Sequence, residues 1–317
     1  MLFSKKTPQK GKRKQQVNET SENWLVRSLF RPFTLLWLAL ITAIVVLVPR
    51  IYEKLPDITA QNRYQLTRAN IYLQDRPDWV PAHFLNSVLA KQTIPESVLE
   101  PELAQTISTW FRNEPWVKKV NAVRISYPPA ATVELTFREP VAVVELEGRL
   151  HPIDADAVIL PREDFSPATL ERFPILQPSK VPPPLYEGIV WDDDVIKKGA
   201  VLANQLKPYW KQFDFVAIRA LPKTEAHSLS ENQDYDPAFE ILSASGSVII
   251  WGRSPNSTHP GELAFDEKIR RLIAYQERFQ GFAQPNGPYE IDITHWTDIS
   301  RRVLTEAATH PERNHRR

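Results

Sequence analysis

The chain reads as an α+β protein behind one membrane-spanning helix. Three observations predict this. Residues 33–48 carry no charge and are bounded by Arg31-Pro32 and Pro49-Arg50. Residues 64–147 run strand, helix, helix, strand, strand, the order that buries one face of a small sheet under two helices. Residues 148–300 then read as a mixed β region with flanking helices. Apolar residues at 42% and charged residues at 24% belong to a chain that folds.

The net charge of +1 hides an asymmetry. Residues 1–32 hold eight Lys and Arg against two Glu, or +6; the rest hold 31 basic and 36 acidic side chains, or −5. Excess charge confined to a tail beside an apolar run is a topology signal, not a nucleic-acid footprint. Sixteen residues rise about 24 Å against a hydrocarbon core of about 30 Å, so the helix gains length if Arg31 snorkels. Arg27, Arg31, Trp37 and Arg50 are the expected anchor flanks. A signal peptide or a buried core helix would also be apolar. However, 32 residues precede this run and it ends in Leu47-Val48-Pro49-Arg50, with no small-residue cleavage site. The expected layout is therefore a cytoplasmic tail at 1–32, a transmembrane helix at 33–49 and everything beyond outside the cytoplasm. Residues 50–63, polar and Pro-containing, read as a linker.

Tyr64 to Leu73 is β-compatible. Phe84, Leu85, Val88 and Leu89 have helical spacing, and Pro101-Glu102 opens a second helix with Leu103, Ile107, Trp110 and Phe111 on one face. Residues 120–127 alternate partly; Val133, Leu135 and Phe137 alternate cleanly against Glu134, Thr136 and Arg138. A strand at 141–146 completes the first domain, 64–147. Further on, 151–156 and 158–160 read as a strand pair, and 161–194 as a Pro-rich loop. Helices are expected at 195–210 and 265–279. A strand is expected at 213–221, and a hairpin from 239 to 251 turns through Ala-Ser-Gly-Ser. Tyr289 to Trp296 is the last alternating strand, and 301–317 is expected to be a flexible basic tail.

With no cysteine, disulfides, thiolate zinc sites and cysteine nucleophiles are excluded. Nine Gly against 28 Pro disfavour phosphate-cradling loops, and no dinucleotide, Walker or nucleophile-elbow motif occurs. Close carboxylates at Asp154/Asp156, Asp192–Asp194 and Asp234/Asp236 lie in polar turns, where they solvate or cap more readily than they catalyse. The seven histidines form no paired metal motif. No catalytic residue, metal, cofactor or small-molecule substrate is expected. Partner binding is: a sheet edge at Tyr289, Ile291, Ile293, His295 and Trp296 would template an incoming strand, unless the same residues simply complete the core.

Several phrases in order resemble the FtsQ/DivIB family of bacterial division proteins. These are Glu114-Pro-Trp-Val-Lys-Lys-Val120, Val123-Arg-Ile-Ser-Tyr-Pro128, Val133-Glu-Leu-Thr-Phe-Arg-Glu-Pro-Val-Ala142 and Ile153-Asp-Ala-Asp156. Phe173-Pro-Ile-Leu176, Gly246-Ser-Val-Ile-Ile-Trp-Gly252, Glu267-Lys-Ile-Arg-Arg-Leu272 and Ile291-Asp-Ile293 continue the series. Two family glycines are missing, after Ile153-Asp-Ala-Asp156 and Phe173-Pro-Ile-Leu176. The resemblance implies a POTRA-like domain at 64–147 and a C-terminal β domain at 148–300. It implies a non-enzymatic scaffold of the division machinery at the inner membrane, recruiting FtsB- and FtsL-like partners during septum formation. A POTRA-containing envelope-assembly or translocation factor is the alternative reading, and a membrane-anchored periplasmic enzyme a third.

Overall fold

A computed structural model describes residues 32–54, 61–177, 181–222 and 236–304. The chain divides into two compact units, residues 1–58 and 59–317. The expected cytoplasmic tail up to residue 31, with the flanking Arg27 and Arg31, residues 55–60 of the linker, Asp234, three of the histidines and the tail beyond 304 lie outside the described residues.

In the first unit, helix α1 (Pro32–Lys54) runs 23 residues. The expectation of a membrane-spanning helix is corrected here: among the described residues, no helix is long and apolar enough to cross a membrane. The physical reason lies in the sequence. The backbone helix is long, but its uncharged stretch ends at Pro49-Arg50 after only about 24 Å, against a hydrocarbon core of about 30 Å. Trp37, Val45 and Tyr52 are among the many apolar side chains exposed along it.

In the second unit, a small sheet is built from β1 (Ile71–Gln74), β2 (Val117–Ser126) and β3 (Ala130–Phe137), in the order β1-β3-β2. Strand β3 pairs parallel with β1 and antiparallel with β2. Helices α2 (Phe84–Ala90) and α3 (Leu103–Arg112) supply Phe84, Val88, Ile107 and Phe111 to its core, where Val133 and Phe137 of β3 meet them. Phe84 and Phe137 pack edge to face at 5.5 Å, the favoured arrangement of aromatic quadrupoles. Where a strand from Tyr64 was expected, 3-10 turns at Asn62–Tyr64 and Arg68–Asn70 shorten it to four residues.

The larger sheet has eight strands: β4 (Pro140–Leu146), β5 (Arg149–Asp154), β6 (Ile175–Leu176), β7 (Phe215–Ala220), β8 (Ala238–Ser243), β9 (Val248–Arg253), β10 (Tyr289–Asp292) and β11 (Ser300–Val303). Their order is β11-β10-β9-β8-β7-β6-β4-β5. The strand expected at 141–146 to complete the small sheet belongs to this one instead. Val141 to Val144 are buried on both faces, as an interior strand requires. The Pro-rich stretch is not plain loop, since it contains α4 (Pro167–Leu170) and β6.

Helices α5 (Asp194–Leu206) and α6 (Phe265–Phe279) pack on this sheet. Asp193 opens α5 by accepting the amides of Val195 and Ile196 at 2.7 and 3.0 Å, which satisfies two orphan donors. Ile196, Ala200, Ala203 and Leu206 form its buried stripe. Gly199 lets the helix approach closely: a Cβ there would lie 3.3 Å from Leu176.

One edge of the large sheet is sealed. Residues 157–160 return along β5 through Asp154 N to Val158 O and Leu160 N to Pro152 O. Residues 188–191 close over them through Ile159 N to Ile189 O and Trp191 N to Ala157 O. Trp191 is fully buried and donates its indole N–H to Val181 O at 3.1 Å. Leu160 turns away from this seal and packs into the core of the small sheet.

Candidate site: an open sheet edge and the groove beside it

The other edge is β11. It pairs antiparallel with β10 from Ser300 opposite Asp292 to Val303 opposite Tyr289. Leu304 N donates to Pro288 O, so by strand alternation Arg302 also faces inward, while the amides of Arg301 and Val303 face away from the sheet. Among the described residues no strand lies beyond them. All four residues of β11 are exposed.

This corrects the expected edge. Strand β10 is flanked on both sides, parallel to β9 and antiparallel to β11, so it offers no unpaired backbone. Tyr289, Ile291 and Ile293 are buried core residues. Their alternation reflects one face packed beneath α6 rather than a waiting interface. His295 and Trp296 lie in the turn after β10 and are exposed, Trp296 at 71%. Of the five expected contact residues, Trp296 is the one that lines the groove beside the open edge. The basic segment expected to be loose from 301 contributes the edge strand itself.

Between α6 and residues 296–301 lies a groove of about 730 Å³, lined by Glu267, Arg271, Tyr275, Arg278, Trp296 and Arg301. Arg271 shapes it by donating to Ile293 O at 3.0 Å and Trp296 O at 2.8 Å, and also to His295 O. One rigid guanidinium fork thus holds the whole turn after β10. Asp292 caps the same turn from inside, accepting Thr294 N at 2.8 Å. Arg301 lies 4.0 Å over the Phe279 ring and 5.0 Å over Tyr289, which clamps β11 to the end of α6. Tyr275 is buried, and its hydroxyl has no partner among the described residues. Three guanidiniums against Glu267 and Asp298 leave the groove positive. Sequence reasoning missed Arg271, Tyr275 and Arg278. Their signal was present, because Glu267, Arg271, Tyr275 and Arg278 recur at helical spacing beside an apolar stripe.

The remaining edges are less inviting. Strand β2 is long but breaks register twice, and it carries Lys118 and Lys119, both common ways of blunting an edge. The carboxylate pairs have structural partners. Asp154 takes Arg138 at 2.6 Å and the amides of Asp156 and Val158; Asp192 pairs with Lys197, and Asp236 with Arg253 and Ser257. Lys268 is buried beside Glu262 with its ammonium over Trp251, and burial holds its pKa below the usual lysine range. Among the described residues no three His, Asp or Glu side chains gather as a metal-ligating group. No protein-family model and no curated protein matches the chain.

Proposed function

We propose that this chain is a non-enzymatic scaffold of the bacterial divisome, recruiting small FtsB- and FtsL-like division proteins during septum formation. The observation that carries the reading is the open edge at β11 beside the arginine-lined groove. Strand addition there supplies main-chain hydrogen bonds through Arg301 and Val303, and the groove beside it receives side chains of the added segment. The resemblance in order of parts to FtsQ/DivIB supports the choice of partner. The uncovered apolar surface of α1 supports a location at the cytoplasmic membrane.

The test is co-purification of the full chain with FtsB- and FtsL-like proteins from the same bacterium, alongside Val303→Pro. That substitution removes one outward amide and leaves the bonds between β10 and β11 intact. We expect capture by the wild type and at least about a tenfold loss of affinity in the variant. A correctly folded wild-type chain that captures neither protein and stays diffuse in dividing cells would end the assignment.

A further inference from the structure

A second cavity, of about 280 Å³, lies on the opposite flank of the large sheet, where the starts of β4 and β6 meet the end of α5. Its walls are apolar: Val141, Phe173, Pro174, Ala203 and the ring of Trp210. Trp210 is held in place by edge packing on Phe215 at 5.5 Å. Around the mouth stand three cations, Arg172, Lys207 and Lys211. Lys207 has a partner in Glu139, and it also follows the last turn of α5, where a cation complements the helix dipole. Arg172 and Lys211 make no side-chain hydrogen bond or ion pair among the described residues, and no carboxylate lines the cavity.

We propose that this cavity binds a small amphipathic anion, an apolar body of one or two rings bearing a single carboxylate or equivalent group. The volume sits at the small end of ligand pockets, which sets the size. The ring wall formed by Trp210 and Phe173 selects an aromatic body, and the two unpaired cations select the charge. The site is separate from the β11 edge and does not depend on the division reading. Occupancy would bridge β4, β6 and α5, and so would stabilise the fold by mass action.

The experiment is isothermal titration of the full chain with 2-naphthoate, and with 2-naphthamide as its uncharged counterpart. The proteins compared are wild type, Arg172→Glu/Lys211→Glu and the charge-preserving Arg172→Lys/Lys211→Arg. Both pairs of changes are at exposed positions, and circular dichroism checks that each variant is folded. Naphthoate is expected to bind the wild type and the charge-preserving variant. Binding should be about tenfold or more weaker for the reversed variant and for naphthamide. Equal affinity of wild type and reversed variant, equal affinity for acid and amide, or no heat at millimolar naphthoate would each overturn the proposal.

Discussion

The two ends of the eight-stranded sheet face the same problem and meet it in opposite ways. At β5, unpaired backbone is covered twice, first by residues 157–160 and then by residues 188–191, with Trp191 buried beneath. At β11, four exposed residues carry the edge, held by a cation over two rings and by Arg302 paired with Glu290 at 2.7 Å. An exposed edge is a hazard unless it has a use. The end of the Pro-rich insert, residues 188–191, completes the seal of one edge, whereas β11 is left bare at the other.

The sealed end should be costly to disturb. Trp191→Ala removes a fully buried indole and its bond to Val181, and we expect a loss of about 3–5 kcal/mol in urea unfolding. A loss under about 1 kcal/mol would show that the insert is not held through this ring. Asp154→Ala comes next: it removes the nearer of Arg138's two carboxylate partners and leaves two amides unpaired in the turn, for a loss of about 2–4 kcal/mol by the same measurement. A smaller effect is expected from pH. His151 on β5 lies edge-on to Trp191 at 6.4 Å, and burial, with help from Arg162 and Arg149, lowers its pKa below the usual 6.5. The unfolded chain then binds the proton more readily than the folded one. The stability His151 permits is complete above pH 6.5 and is lost as pH falls through the lowered value. His151→Gln should flatten that acid limb of a melting-temperature profile; an unchanged limb refutes the assignment. The smallest effect belongs to the open end. Arg302→Ala breaks a pair whose guanidinium is 75% exposed and should leave the unfolding midpoint where it was. A clear drop there would mean that β11 carries stability as well as an edge.

Local elements were legible because their causes are local. Helix Phe265–Phe279 matches its expected span residue for residue, since Ile269, Leu272 and Ile273 declare one face. Val133, Leu135 and Phe137 mark β3 by the same logic with period two. Placement between sheets was not legible. The apolar run at 141–144 says strand without saying which sheet, although its unbroken burial favours an interior position. Strand β11 was hidden altogether, because Ser-Arg-Arg-Val is exposed at every residue and exists only through its pairing with β10. Expecting the edge at β10 followed from that gap: Tyr289, Ile291 and Ile293 identify a half-buried strand, and only a neighbour from later in the chain shows that it is interior. The membrane expectation rested on the apolar character of 33–48, yet among the described residues no helix is both long and apolar enough to cross a membrane.

Leu160 and Gly188 carry a consequence for how the second unit comes apart. Leu160 leaves the seal over β5 to fill the core of the small sheet. Gly188, at φ +80°, lies against Pro115 just before β2, so closely that an added Cβ would stand 3.2 Å from the Pro115 Cα. Peeling the insert away would therefore open both hydrophobic cores at once. Residues 59–317 should unfold in a single cooperative transition, with the two sheets protected from hydrogen exchange to the same depth rather than as separate domains.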